Sequence, residues 1–170
     1  MISLSKPAIG DAEREAVLRV LDSGMLAQGP EVAAFEAEFA TAVDGRRCIA
    51  VNAGTSALHV ALAALGIGPG DEVIVPSFTF AATANSVRIV GAEPVFVDID
   101  PANFCLSPAA IEAAISDRTR AFMPVHLYGH PADMTAISAI AERHNLKVIE
   151  DAAQAHLASW NGVPVRSEEH

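Results

Sequence analysis

The spacing of hydrophobic positions changes near residue 46 of the chain. Before it, apolar residues recur every three or four positions, which predicts two amphipathic helices. Their apolar stripes comprise Ala16, Val17, Val20 and Leu21 in the first and Val32, Phe35, Phe39 and Val43 in the second. After it, short β-rich runs alternate with helical segments, which is typical of βαβ units.

The second part of the chain predicts five strands separated by four helices. We expect strands at 48–51, 72–75, 94–97, 121–125 and 147–150, and helices at 55–65, 81–90, from 107 onward, and 132–144. Strands in this arrangement pair in parallel and are covered on both faces. The fold class is therefore predicted as a three-layer α/β/α sandwich with a mostly parallel sheet, and the two N-terminal helices packed outside it. Residues 1–170 contain no repeat or Gly/Ser linker, so one domain is expected.

Composition excludes several classes of protein. The chain of 170 residues is 51% hydrophobic and 19% charged, and 11 Lys+Arg against 21 Asp+Glu give a formal net charge of −10. A chain of this length buries roughly 70% of the surface that its unfolded form exposes, so it needs no disulfide or metal to be stable. Its two cysteines, Cys48 and Cys105, form no CxxC pair. The acidic balance disfavours nucleic acid as a partner. Because no leader or long apolar run is recognised, we expect no membrane span and a cytoplasmic location.

Parallel α/β sheets bind ligands outside the carboxyl ends of their strands, so the candidate residues follow each predicted strand. After the first, Gly54 allows a ligand to approach the backbone, and Thr55 and Ser56 open a helix whose free N–H groups suit a phosphate. An equally weighted alternative makes Thr55 a simple N-cap and Gly54 a tight turn.

Two further strand ends carry groups suited to a flat, cationic heterocycle. Phe78 and Phe80 follow the second strand, and one of them could cover a ring, although packing in the core is the commoner role of phenylalanine. The fifth strand ends at Glu150 and Asp151, whose side chains point to opposite sides. One carboxylate could then hold a ring nitrogen, the alternative being a solvated turn or an N-cap. Together these are the parts that seat pyridoxal phosphate.

Five ordered segments closely resemble the DegT/StrS family of sugar aminotransferases, and they lie at 54–58, 68–80, 95–99, 126–129 and 150–156. Members of that family are fold-type-I pyridoxal-phosphate enzymes, which transfer an amino group from an amino acid, commonly glutamate, to a nucleotide-linked keto sugar. The resemblance implies that activity for the whole protein, pyridoxal 5'-phosphate as cofactor, and a homo-oligomer. No metal ligands are implied.

The resemblance also implies which residues contact the cofactor: Gly54, Thr55, Ser56, Phe80, Asp151 and Gln154. The first three would hold the phosphate, and the phenylalanine would stack on the pyridine ring. The aspartate would keep the ring nitrogen protonated, and the glutamine amide would lie near the phenolic oxygen. The segment 126–129 either lines the site or is only a strand-to-helix turn, and the role of His156 stays open.

The chain departs from the family at two points. The family reaction needs a lysine that forms a Schiff base with the cofactor, but the chain contains only Lys6 and Lys147, both far from the predicted strand ends. In the family that lysine lies downstream of the Asp151 motif, as does a small C-terminal domain. We therefore expect a truncated large domain with no catalytic residue assigned, weak or absent cofactor binding, and no activity alone. The second departure is Leu157, where the family usually has glycine.

Two other functions remain as alternatives. The first is a non-catalytic α/β module that binds a cofactor or a partner. The second, more remote, is a flavodoxin-like or nucleotide-binding domain, which the two leading helices and the lack of a GxGxxG motif disfavour.

Overall fold

The structure is a computed structural model that describes residues 6–165. Its helices are α1 (Asp11–Ser23), α2 (Pro30–Ala42), α3 (Gly54–Ala64), α4 (Ala82–Ile89), α5 (Pro108–Ala114) and α6 (Met134–His144). Its strands are β1 (Glu72–Pro76), β2 (Glu93–Val97), β3 (Thr119–Phe122), β4 (Lys147–Val148), β5 (Ser159–Trp160) and β6 (Val163–Pro164). The predictions that concern the extreme start and end of the chain, at 1–5 and 166–170, lie outside the described residues.

The main sheet has four parallel strands in the order β2-β1-β3-β4. Ile74 on β1 is in register with Val95 on one side and with Phe122 on the other. Phe122 is in turn in register with Val148 on β4. All four strands therefore run in one direction, and the segments that follow them emerge at the same edge.

Helices cover both faces of this sheet, which confirms the predicted three-layer arrangement. Because neighbouring side chains of a strand point to opposite faces, β1 contributes to two separate cores. One core lies under α5 and α6 and includes Ile74, Ile111, Phe122 and Ile137. The other lies under α3 and α4 and includes Leu62, Val73, Val75 and Val87. The sheet is thus apolar on both faces, as parallel sheets are.

The predicted strand at 48–51 is wrong. Ile49 in this segment is 72% exposed, and no strand within residues 6–165 pairs with it. The backbone N–H of Ala50 instead donates a hydrogen bond of 2.7 Å to Oε1 of Glu36 on α2. The apolar residues have the composition of a strand, but composition makes a strand only where a partner backbone is present.

Two predicted strands are shorter than expected. In place of the run 121–125, regular strand covers Thr119–Phe122, which begins two residues earlier and ends at Phe122, and the run 147–150 is regular strand only over Lys147–Val148. Pro124 has no N–H for the ladder, so regular pairing ends before it. Pairing nevertheless continues intermittently, because the N–H of Asp151 donates to the carbonyl of Pro124 at 2.9 Å. Asp151 is therefore anchored at the carboxyl edge of the sheet.

The antiparallel hairpin of β5 and β6 was not predicted from the sequence. Its two turn residues, Asn161 and Gly162, both have positive φ, at 50° and 85°. An Asn-Gly pair with this geometry is the strongest short-range hairpin signal, so the sequence did contain the information. The hairpin is fastened to α6 by a hydrogen bond of 2.8 Å from the Trp160 indole N–H to the Thr135 hydroxyl.

The two N-terminal helices form, and α1 ends at Gly24 with φ 69°, a left-handed C-cap. On α2 no residue is fully buried, but Phe39 of its predicted stripe packs against His156. The packing expected of α1 is not seen, because Val17 and Leu21 on its predicted stripe are more than half exposed. No described element covers that stripe. Among the described helices, none has the length and apolarity to cross a membrane.

The two cysteines lie in different environments, which predicts different thiol reactivity. Cys105 is 1% exposed, and burial raises the pKa of its thiol, so little reactive thiolate forms at neutral pH. Cys48 is only half-buried and lies in the segment 48–51 after α2, which forms no strand. We expect Ellman's reagent at pH 8 to modify one thiol per folded chain and the second only in denaturant. Cys48→Ser should abolish the native reaction, and rapid native modification of that variant would contradict the described packing.

Candidate functional site

The parallel strands bring three segments of the chain to one edge of the sheet. These segments are 77–80 after β1, 123–129 after β3 and 149–156 after β4. The carboxyl ends of parallel strands are where such sheets bind ligands. The candidate site is therefore expected at this edge.

The N-terminus of α3 is open to a ligand. Its N-cap is Ala53, which provides no side-chain cap, so the first N–H groups of the helix have no intrahelical acceptor. Thr55 lies inside the helix, which excludes the alternative that it is the N-cap. The hydroxyls of Thr55 and Ser56 have no hydrogen-bond partner within residues 6–165. Together these donors form the kind of helix terminus that binds anions.

Neither the backbone nor the packing of this chain requires glycine at position 54. Gly54 does not have a positive φ, and a Cβ added there would meet nothing nearer than the Cβ of Ala153, at 4.0 Å. That spacing is ordinary van der Waals contact. The alternative that a tight turn requires glycine at position 54 is therefore excluded. Its proximity to Ala153 also shows that the start of α3 lies beside the segment that follows Asp151.

A cavity of about 500 Å³ adjoins this point of contact. Gly54, Ala153 and His156 line it, together with apolar side chains of α2 such as Phe39. The ring of His156 packs edge-on against Phe39, with centroids 6.1 Å apart. The cavity reaches the start of α3 but is not lined by Asp151, so it lies beside the candidate site rather than at its centre.

Glu150 and Asp151 point to opposite sides of the sheet edge, as predicted. Asp151 is 8% exposed, and its carboxylate accepts hydrogen bonds from the Ala153 N–H at 3.1 Å and from the Thr83 hydroxyl at 3.4 Å. Both donors are neutral, and no cationic group within residues 6–165 is paired with this carboxylate. The alternative in which Asp151 is an N-cap is excluded, since no helix of the described residues starts here.

Glu150 belongs to a buried structural pair on the other side. Its Oε2 lies 2.7 Å from Nε2 of His126, which is fully buried. The backbone N–H of Ala132 donates to Nδ1 of the same ring at 3.0 Å. Because Nδ1 accepts this bond, the hydrogen of the ring is on Nε2 and is donated to Glu150. The pair holds the segment 126–132 against the sheet edge.

The side-chain amide of Gln154 is oriented by the backbone of Tyr128. The N–H of Tyr128 donates a hydrogen bond of 2.9 Å to Oε1 of Gln154. A backbone N–H needs an acceptor, so the amide oxygen faces Tyr128 and the NH₂ group is left as a donor elsewhere. Tyr128 has φ 55°, a left-handed conformation that places this N–H toward the glutamine.

The two phenylalanines after β1 have different surroundings. Phe78 packs against Phe104, with ring centroids 6.1 Å apart. Phe80 is 73% exposed, and none of the ring contacts among the described residues involves it. The core packing that we weighed against a ligand role is thus absent at Phe80.

The two lysines of the chain lie away from this edge, as predicted. Lys147 begins β4, at the opposite end of the strand from Asp151, and Lys6 precedes α1. Thr83, whose hydroxyl contacts Asp151, lies at this edge but was not predicted as a site residue. Thr83 and Ser86 are both fully buried and lie three positions apart on α4. Two polar residues on the buried face of a predicted helix were the available signal.

The chain belongs to the DegT/DnrJ/EryC1/StrS aminotransferase family, which it matches over residues 7–168. This confirms the resemblance found in its motifs, and the four-stranded parallel sheet between helices is the α/β architecture expected from it.

Three characterised relatives extend the comparison. The chain is 53% identical over 147 residues to dTDP-3-amino-3,4,6-trideoxy-alpha-D-glucose transaminase of Streptomyces venezuelae, covering 86% of the chain and 39% of that protein. It is 51% identical over 162 residues to GDP-perosamine synthase of Caulobacter vibrioides, covering 95% and 44%. The crystal structure of NtdA from Bacillus subtilis with bound cofactor PMP has a TM-score of 0.82 at 45% identity, covering 86% and 35%. The chain thus spans less than half the length of each.

Leu157 occupies a backbone conformation that disfavours its side chain. Its φ is 64°, in the left-handed region, and the side chain is 64% exposed. A non-glycine residue there costs about 1–2 kcal/mol, whereas glycine adds about 0.4–1 kcal/mol of unfolded-state entropy. We expect Leu157→Gly to raise the free energy of unfolding by about 0.5–1 kcal/mol, measured by urea denaturation with Trp160 fluorescence.

The control for that measurement is Leu157→Ala, which shortens the side chain but keeps the strained backbone. It should differ from the unsubstituted chain by less than about 0.5 kcal/mol, as exposed surface substitutions do. A glycine variant less stable than the alanine variant would show that side-chain packing, and not backbone strain, decides at this position.

Proposed function

We propose that the chain is the cofactor-binding part of a pyridoxal-phosphate-dependent aminotransferase, which transfers an amino group from an amino acid, commonly glutamate, to a nucleotide-linked keto sugar. The observation that carries this proposal is the buried, unpaired charge of Asp151. Its two hydrogen-bond donors are neutral, and a buried carboxylate is stable when a cationic or strongly polar group completes its surroundings. A protonated pyridine nitrogen is such a group.

The residues around Asp151 fit the other parts of the same cofactor. The uncapped start of α3 offers N–H groups and two free hydroxyls to a phosphate, and it adjoins the Asp151 segment through Gly54 and Ala153. Phe80 presents an exposed ring at the same sheet edge. Gln154 has its amide NH₂ available as a donor. Anion, aromatic face and ring nitrogen thus each find a complementary group.

In the proposed site, the Asp151 carboxylate would accept a hydrogen bond from the protonated ring nitrogen and stabilise its positive charge. Pyridoxal phosphate supplies an electron sink for a carbanion when it is bound. Thr55, Ser56 and the first N–H groups of α3 hold its phosphate, and Phe80 keeps water from one face of the ring. Gln154 donates its amide hydrogen toward the phenolic oxygen, with its orientation fixed by Tyr128.

The relatives support the substrate class. One acts in the formation of a dTDP-linked amino sugar and another in that of GDP-perosamine, as their names state. What these two share is a sugar that carries an amino group and a nucleotide, so we extend that class to the protein of which this chain is a part. Assembly of copies, as implied by the family, stays a prediction.

A non-catalytic module is the second candidate. It is favoured by the placement of the only two lysines of the chain, Lys6 and Lys147, away from the sheet edge. Such a module would keep the contacts of Asp151 and of α3 but would bind the cofactor without a covalent bond.

Replacing the carboxylate of Asp151 should weaken cofactor binding. We expect Asp151→Asn to raise the Kd for pyridoxal phosphate about tenfold, because a hydrogen bond to a charged group contributes about 1.5–3 kcal/mol. Titration followed by absorbance and by Trp160 fluorescence measures this. Asp133→Asn is the matched control, since Asp133 caps α6 and asparagine caps a helix equally well. Equal weakening in both variants would exclude a specific role for Asp151.

The positions of the two lysines predict non-covalent binding by the chain of 170 residues. Four residues of extended chain, at roughly 3.3 Å each, separate Lys147 from Asp151. We therefore expect that borohydride treatment with pyridoxal phosphate leaves no stoichiometric adduct on Lys6 or Lys147, as determined by peptide mapping. Turnover with glutamate and a nucleotide keto sugar should be absent too. A stoichiometric adduct accompanied by turnover would make this chain an enzyme by itself.

A further inference from the structure

A buried hydroxyl contacts the carboxylate on which the proposed function depends. Thr83 lies in the first turn of α4 and is fully buried. Its Oγ1 is 3.4 Å from Oδ2 of Asp151, a residue 68 positions away in the chain. The same Oγ1 is 3.0 Å from Oγ1 of Thr79, in the segment between β1 and α4. The three side chains therefore form a continuous polar chain beneath the sheet edge.

The direction of these hydrogen bonds follows from chemistry. An ionised carboxylate can only accept, so the Thr83 hydroxyl must use its single hydrogen for Asp151. The Thr83 oxygen can then only accept a hydrogen bond, so the Thr79 hydroxyl must be the donor in the second bond. Hydrogen bonds that run in one direction polarise and strengthen each other in a buried setting.

The other oxygen of the carboxylate is held independently. Oδ1 of Asp151 accepts from the N–H of Ala153 at 3.1 Å. A carboxylate held at both oxygens by donors from different elements has one preferred orientation, and each oxygen still has a lone pair free. Without the Thr83 hydroxyl, the Asp151 carboxylate would keep only the hydrogen bond from the Ala153 N–H. That single bond does not fix the rotation of the carboxylate.

We propose that Thr83 is a positioning residue: through its hydroxyl it sets the orientation of the Asp151 carboxylate relative to the segment that carries Phe80. This inference rests on the proposed function, in which Asp151 meets a ring nitrogen and Phe80 the face of that ring. Thr79 directly precedes Phe80 in the chain. The polar chain thus couples the position of the stacking side chain to the orientation of the acid.

The test compares Thr83→Val, which keeps the shape of the side chain but not the hydroxyl, with Thr83→Ser, which keeps the hydroxyl. Ser86→Ala is the matched control, because Ser86 is also fully buried on α4 but donates to the carbonyl of Thr83 and not to Asp151. Should the valine variant not fold, Thr83→Ala removes the same hydroxyl with less bulk.

Two measurements on the full chain separate this inference from the proposed function. The first needs no cofactor: three-bond couplings in isotope-labelled protein report the side-chain rotamer of Asp151. The second follows the ring-nitrogen chemical shift and the Kd of ¹⁵N-labelled pyridoxal phosphate. We expect Thr83→Val to average the Asp151 rotamer, shift the ring-nitrogen signal and weaken binding about 3- to 10-fold. Thr83→Ser and Ser86→Ala should leave all three unchanged.

An unchanged Asp151 rotamer in Thr83→Val overturns the inference, whatever the cofactor does. A changed rotamer in Ser86→Ala also overturns it, because any buried hydroxyl of α4 would then have the same effect. If the rotamer changes only in Thr83→Val but pyridoxal phosphate binds to none of the proteins, Thr83 still positions Asp151 and the proposed function fails.

Discussion

The parallel register of β1, β3 and β4 is the constraint on which the candidate site depends. Because Ile74, Phe122 and Val148 are aligned across the three strands, the segments after them leave the sheet at a common edge. The apolar cores on both faces fix that alignment, since a slip by one residue would turn each buried side chain to the opposite face. The site is thus a consequence of how the sheet is packed.

Local patterns predicted the features that local physics controls. The positions of the helices and the opposite directions of Glu150 and Asp151 follow from side-chain periodicity within one element, and they were predicted within a few residues. The Asn161–Gly162 hairpin was also a local signal, although it was overlooked. These features need no knowledge of which elements become neighbours.

The features that could not be predicted depend on contacts between distant parts of the chain. The run 48–51 has the composition of a strand, but its N–H at Ala50 meets a glutamate of α2 instead of a neighbouring strand. Thr83 contacts Asp151 across 68 positions, and the amide of Gln154 is oriented by the backbone of Tyr128. No pattern within one element reports such pairings, so sequence periodicity identified the acid but not what orients it.

The buried carboxylates of Glu72, Glu150 and Asp151 differ in the groups that donate hydrogen bonds to them. Glu72 is paired with the cationic guanidinium of Arg118, whereas Glu150 accepts a hydrogen bond from the neutral imidazole of His126. Asp151 follows Glu150 directly in the chain and is buried as well, and its described hydrogen-bond donors are the Thr83 hydroxyl and the Ala153 backbone N–H. The net charge of the chain is −10, so the summed electrostatic field of the protein does not stabilise such a carboxylate. Within residues 6–165, Asp151 has no counterpart of the Arg118 guanidinium that balances Glu72, so a cationic group is what its surroundings lack.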